Sequence, residues 1–379
     1  MKVKLCKIAD IMTGTTPSMK VDEYYDSNDI PFIKPDSFKS QFQLEASSFI
    51  SNKAERKARV VYENCILVTC IGIIGKVGIT SQKVAFNQQI NSLNVKPYYD
   101  IEYIAYNLLF NKDRFQRISN SAVVPLINKT QFSNFEILIN KDIVIQRKIK
   151  NRLNLLSSII NNNKKKLLLL EDIIKSRFVE MFGDIDCNTK NWPIITLEEL
   201  AELITDGEHS TPKRCDKGIY LLSARNILNH SLKLDDVDYI DEAEYDRISK
   251  RVIPKAGDIL LSCSGSVGRC CMAPMEIKFQ LVRSVALIRF KSEISPIFAE
   301  YMITSDWFQR QINSLKTASS QANLFQGRIK KLKGFVPDMN LQYEFIKVVN
   351  QINKLKSDVQ KSIDETQLLM DSLMQEYFG

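Results

Sequence analysis

From Gln146 to Gly183 the apolar side chains recur in steps of three and four: Ile149, Leu153, Leu156, Ile160, Leu167, Leu170, Ile174, Phe178 and Met181. The stretch has no proline, and no glycine before its last residue. That spacing puts every one of these side chains on a single stripe, so it predicts one amphipathic helix. At 1.5 Å per residue it would run for about 55 Å, too long for an internal helix of an ordinary compact domain. The pattern occurs a second time. Ser372–Gly379 (SLMQEYFG) resembles Ser176–Gly183 (SRFVEMFG), and counting back sets Gln342 opposite Gln146. The second stripe comprises Phe345, Val349, Ile352, Leu355, Val359, Ile363, Met370, Leu373 and Tyr377. With Gly379 matching Gly183, the second copy reads as running to the same end as the first.

Outside the helices the apolar positions come in short runs, and these too repeat. Leu5–Ser18 (LCKIADIMTGTTPS) and Leu197–Pro212 (LEELAELITDGEHSTP) each place a helical turn before a glycine-containing loop that leads to Thr-Pro. Ile30–Phe38 and Ile219–Ile227 follow, each a short strand ending in polar residues. Asn64–Thr69 (NCILVT) aligns with Gly257–Ser262 (GDILLS), a buried strand after a turn. Behind it lie Gly72-x-x-Gly75-Lys76 and Gly265-x-x-Gly268-Arg269. Phe86–Leu93 matches Phe279–Leu287 if one residue is inserted, which sets Gln88-Gln89 against Val282-Arg283. The order is globule, long helix, globule, long helix, with boundaries at 1–142, 143–186, 187–338 and 339–379. Short strands and short helices without βαβ alternation predict an α+β class for each globule.

Each helical stripe needs a partner, and the other stripe can supply it as an antiparallel coiled coil. The periodicity leaves open whether that pairing is within one chain or between two. Asn163 falls in the seam between Ile160 and Leu167, where a polar residue fixes register at some cost in stability. The surrounding run NNNKKK reads as a solvated helix face rather than a phosphate-binding patch. Leu167-Leu168-Leu169-Leu170 exceeds what one seam needs, so a second face is available to another protein.

Composition narrows the function classes. With 379 residues and 44% hydrophobic content the chain can bury more than one core. No apolar run is long enough to span a membrane, and the start MKVKLCKIADIMTG lacks a signal-peptide core. Eight cysteines without paired spacing point to a reducing cytoplasm, and adjacent Cys270-Cys271 suit a buried site better than a metal. Two histidines, His209 and His230, make a zinc site improbable. The net charge of +8 is spread over the first three segments and absent from the last. That distribution offers selected Lys and Arg to an acidic partner, nucleic acid being the usual one.

The paired Gly-x-Thr-Pro-type loops (Gly14-Thr15-Thr16-Pro17; Gly207 to Pro212), the GDILLS-type strand with its trailing Gly-x-x-Gly, and the Gln-opened helices resemble the specificity subunit of type I restriction-modification systems. The resemblance covers essentially the whole chain. It implies two target recognition domains, each reading one half of a split double-stranded DNA site, with the long helices setting the gap between halves. It further implies docking of two DNA methyltransferase (modification) subunits, joined by restriction/translocase subunits. S-adenosylmethionine, ATP and Mg²⁺ would then belong to those partners, and this chain would carry no cofactor or metal. The first half departs from the family pattern at Asn64-Cys65, where Gly-Asp is usual, and at Glu136-Ile137-Leu138, which lacks a proline.

Reading base edges calls for Arg or Lys toward guanine and Asn or Gln toward adenine, carried on loops held by a rigid core. In the first globule the candidates are Lys34, Asp36, Lys76, Gln88 and Gln89. In the second they are His209, Lys213, Arg225, Asn226, Arg269 and Arg283. Lys330, Lys331 and Lys333 suit phosphates, where charge suffices. Against enzymatic readings, Gly72–Val77 lacks the spacing and the Ser/Thr of a phosphate loop, and no Asp/Asn-Pro-Pro-aromatic stretch of an adenine methyltransferase is present. Pro35-Asp36 followed by Glu55-Arg56-Lys57 does resemble a nuclease metal signature, so a metal-dependent nuclease dimerising through the coiled coil is the alternative. A coiled-coil scaffold without DNA affinity is a third reading.

Overall fold

The computed structural model describes residues 1–119, 124–315 and 323–379. Its contacts divide the chain into two units, one formed by Met1–Lys166 with Val359–Gly379, the other by Leu167–Asp358. Each unit is a globule of short strands and helices together with half of each long helix.

In the first unit, strands Ala9–Thr13, Ile90–Val95, Ile66–Thr69 and Val77–Ile79 form an antiparallel sheet in that order. A second sheet runs Phe49–Ile50, Ile30–Ile33, Val84–Phe86, Val60–Val61, and its two middle strands are parallel. The second unit repeats the arrangement. Ala201–Asp206, Val285–Phe290, Ile259–Ser262 and Cys270–Met272 form the antiparallel sheet. Asp238–Ile240, Ile219–Leu222 and Phe279–Leu281 form the other, again with a parallel pair. The fold class is α+β. Ile66–Thr69 and Ile259–Ser262 are buried on both faces, which is why they read as unbroken apolar runs rather than alternating ones.

The departure at Asn64 has a conformational explanation. Gly257 enters its strand at φ +88° and Asn64 enters the equivalent strand at +63°. Asparagine is among the few residues with a side chain that tolerate this region, so the turn survives the exchange.

The long helices span Ile143–Phe182 and Met339–Phe378. In the first unit Asn163 Nδ2 donates to Ser362 Oγ at 3.1 Å and Arg152 donates to Tyr377 at 2.9 Å. Rising numbers on one helix therefore meet falling numbers on the other, and the pairing is antiparallel and within one chain. Ile149 and Leu153 share a core there with Met374 and Phe378. In the second unit Phe178 and Phe182 pack on Phe298, Phe335 and Phe345, while Lys356 pairs with Glu171 at 3.0 Å. One predicted seam residue is wrong. Leu355 is 52% exposed. The second seam alternates strictly by four and three through 345, 349, 352, 356, 359 and 363, so Lys356 takes the inward place and Leu355 turns out. Phe182, Met374 and Phe378 are buried instead, and were missed because each adjoins an apolar neighbour that fits the spacing almost as well.

The glutamines that open the helices are fully buried. Gln146 accepts from the Asp100 amide (2.8 Å) and donates to the Asn140 carbonyl (2.7 Å). Gln342 accepts from the Ser295 amide and donates to the Glu293 and Pro337 carbonyls, all at 2.9 Å. Each one fastens its helix to the start of the globule's own helix, Ile101–Phe110 or Pro296–Thr304. Gln342→Ala is expected to lower stability by about 2 kcal/mol, because three backbone groups, one of them in a fully buried bond, lose their partner. The urea midpoint measures this, and an unchanged midpoint would refute it.

Candidate nucleic-acid interface

In each unit the parallel strand pair delivers two loops to the same end of the sheet. In the first, Asn87 N–H donates to Ile33 O (3.1 Å) and Thr15 N–H donates to Phe86 O (3.0 Å), so the loops at 14–17, 34–37 and 87–89 meet. In the second, Val282 N–H donates to Leu222 O (3.1 Å) and Glu208 N–H donates to Leu281 O (2.8 Å), gathering 207–210, 223–226 and 282–284. Gly14 and Gly207 are glycines for a steric reason. A Cβ at either would sit 2.1 Å from Asn87 O or 2.4 Å from Leu281 O.

These bonds also correct the repeat alignment. Phe86 matches Leu281 and Ile90 matches Val285, so no residue is inserted, and Gln88 faces Arg283 rather than Val282. The strand ends look alike in sequence (a Phe in both), whereas backbone pairing fixes the register.

The turn after Thr69 brings in the fourth element. Thr69 Oγ1 donates to Ile73 O (2.5 Å) and accepts from Lys76 N–H (3.0 Å); Ser262 Oγ repeats this with Ser266 O and Arg269 N–H. The glycines of both turns thus serve a hydrogen-bonded bend. Lys76 Nζ then donates to Pro35 O at 2.9 Å, which places it beside Lys34 and Asp36. Gln88 is exposed and accepts from Thr16 Oγ1 at 2.5 Å. Lys34, Asp36, Lys76 and Gln88 therefore form one cluster. Gln89 lies beside it, but its side chain accepts from Asn87 Nδ2 (2.8 Å) and braces the loop from inside.

In the second unit Arg283 is exposed, and among the described residues no side-chain partner holds it or the half-buried Arg269. Arg225 is oriented by Asp236 (3.7 Å) and Asp238 (3.0 Å). His209 bonds Asp206 at 2.8 Å, with Arg251 alongside at 3.3 Å. Lys213 has an exposed side chain, and its amide donates to Glu244. The Arg247 guanidinium bonded to Glu244 pushes that carboxyl down to about 2, and the Ser210 hydroxyl holds Glu208 below the usual carboxylate range. Asn226 is a correction. It is 1% exposed and its amide is used internally, accepting from Ser223 and donating to the Lys233 and Asp236 carbonyls, so it shapes the loop and has nothing left for a base edge.

Lys330, Lys331 and Lys333 are not brought to this end. The Lys330 carbonyl accepts from the Glu198 amide, at the far end of strand Ala201–Asp206 from Gly207, and Lys330 Nζ pairs with Glu198 at 2.9 Å. Sequence reasoning missed Arg247 and Arg251, which touch the loop residues, and it placed Thr16 in the Gly14–Pro17 loop without its contact to Gln88. The two arginines carry no motif, and only the fold closes the gap from 206 to 251.

Other chemistry finds no support in the geometry. Among the described residues no group of three or more His, Cys, Asp or Glu could hold a metal ion. Glu55 of the nuclease signature is held by Lys83 at 2.7 Å, and Asp36 sits on the loop with Ser47 as partner. Burial pushes the thiols of Cys65, Cys70, Cys263 and Cys271 up to about 12, leaving them inert at neutral pH. No helix among the described residues is long and apolar enough to cross a membrane.

The chain shares this architecture with known proteins. It is 23% identical to the type I restriction enzyme EcoprrI specificity subunit of Escherichia coli over 94% of this chain and 88% of that one. Against the HindI specificity subunit of Haemophilus influenzae it is 29% identical, but the match spans only 38% of this chain and 33% of that protein's length. Among solved structures, the type I restriction-modification S subunit from M. genitalium has a similar fold, with TM-score 0.56 at 15% identity, covering 100% of this chain and 96% of that one. The model for the type I restriction modification DNA specificity domain matches residues 1–171 and again 189–366, and the chain belongs to that family.

Proposed function

We propose that this chain is the DNA sequence-specificity subunit of a type I restriction-modification assembly, a recognition protein rather than an enzyme. Residues 1–142 and 187–338 act as target recognition domains, each reading one half of a bipartite duplex site. Residues 143–186 and 339–379 set the unread spacer and dock two adenine-N6 methyltransferase subunits, to which restriction/translocase subunits add. S-adenosylmethionine, ATP and Mg²⁺ act on those partners, and the assembly works in the cytoplasm. One observation carries the reading: two units hang polar loops from the same end of the same scaffold, yet the side chains there differ, Gln88 against Arg283 and Lys76 against Arg269. A shared frame with different tips is what two readers of different half-sites require.

Arg283 provides a direct test. An unpartnered, exposed arginine on a braced loop suits bidentate contact with guanine. Arg283→Ala is expected to weaken binding to the cognate site by about 1–3 kcal/mol and to relax one position of one half-site. Methylation mapping in cells carrying the assembly reads this. Relaxation in both halves, or none, would refute the assignment. Asp36→Ala bears on the nuclease alternative, because a reader would change sequence preference whereas a nuclease would keep binding and lose cleavage.

A further inference from the structure

We infer that Arg56, Lys57 and Arg59 form an anchor for the DNA sugar-phosphate backbone in the first unit, and that the second unit has exchanged this anchor for an internal ion-pair network. This rests on reading the chain as a DNA-recognition subunit. The three cations follow the short helix Asn52–Ala54. Thr15 Oγ1 donates to the Lys57 carbonyl at 3.2 Å, and Tyr25 OH donates to the Pro17 carbonyl at 2.8 Å. Tyr24, Tyr25, Ala54 and Ala58 share one small core. The ridge is thereby fixed against the Gly14–Pro17 loop, whose Thr16 holds Gln88. All three side chains are exposed, and among the described residues none has a hydrogen-bond or ion-pair partner. The nearest carboxylate in sequence, Glu55, is already neutralised by Lys83.

The counterpart in the second unit is Glu242–Arg251, which likewise follows a strand paired to the parallel pair, Asp238–Ile240 in place of Phe49–Ile50. There the arginines are taken. Arg247 bonds Glu244 at 2.9 Å and lies 3.7 Å from Glu208, and Arg251 bonds Asp206 at 2.5 Å. Residues 52–59 carry three more cations than carboxylates, whereas 242–251 carry equal numbers. A free cation that neutralises a phosphate releases a condensed counterion; a cation already paired with a carboxylate releases few, and the carboxylate repels the phosphate. The first unit therefore adds sequence-independent grip beside its reading loops, whereas in the second Arg247 and Arg251 are spent on carboxylates.

The test uses the full chain assembled with its methyltransferase subunits. It is titrated against a duplex carrying its mapped site and one lacking it, over a KCl series. Arg56→Ala/Lys57→Ala/Arg59→Ala should weaken both duplexes by the same factor and leave the methylated sequence unchanged. Its log affinity against log salt should be shallower by about 2.7, which shrinks the loss from 50 to 200 mM salt by about 40-fold. Arg56→Lys/Lys57→Arg/Arg59→Lys should keep the wild-type slope. An unchanged slope in the alanine variant overturns the anchor, as does an altered methylated sequence, which would make these residues base readers. Lost subunit assembly with the slope intact also overturns it, assigning the ridge to a protein partner. If the wild type itself shows no preference for its site, the proposed function fails rather than the anchor.

Discussion

Replacing residues 1–142 with the matching globule of another specificity subunit is expected to change one half of the methylated sequence and leave the other half intact. The physical ground is that the candidate readers of the first unit depend only on that unit. Lys76 is positioned by the Pro35 carbonyl, Gln88 by Thr16, and both loops by one parallel strand pair. At about 1–3 kcal/mol per mismatched base pair, a changed half-site of a few pairs lowers affinity for the old sequence by more than about 100-fold. The graft must keep the weld to the helix. Gln146 bonds Asp100 and Asn140, Tyr106 bonds Asn154 at 2.8 Å, and Tyr103 packs edge-on against Phe378 at 5.2 Å. Mapping methylated adenines in cells carrying the hybrid decides the matter. If both halves change together, the two domains do not read independently.

Lengthening both long helices by seven residues, between Leu156 and Leu167 and between Leu355 and Ile363, is expected to widen the unread spacer with both half-sites preserved. Seven residues are two turns and return each seam to its own face, adding about 10 Å, or about three base pairs of duplex. Both helices must be extended because Asn163 and Ser362 pair across the seam, and a one-sided insertion would slide Ile363 and Met374 out of register. Four residues instead of seven would turn the seam by about 40° and expose its apolar side chains, so that variant should assemble poorly. The same methylation map reports spacer length. An unchanged spacer in a stable seven-residue variant would remove the helices as its determinant.

Legibility differed by kind of residue. The stripes of Ile149 to Phe178 and Phe345 to Ile363 were readable because helical periodicity repeats over many turns, and errors such as Leu355 arise only where the three-or-four choice is locally ambiguous. The doubling of the short strands was readable from GDILLS against NCILVT, although the register of Phe86 was not. Candidate readers were harder. Asn226 and Gln89 have the residue type that recognises adenine, but a carboxamide braces a loop from inside just as well as it reads a base, and type alone cannot separate the two uses.

By itself the sequence determined the α+β doubling, the two long helices and the family, since each rests on local periodicity or on repeated spacing along the chain. Which side chains stand together was decided only by the tertiary structure. Lys76 reaches residue 35, Lys57 meets Thr15, and Arg251 meets Asp206 across separations that no spacing rule spans. The parallel strand pairs bring those loops to one end, and the carboxylates they gather decide which cations are left free for DNA.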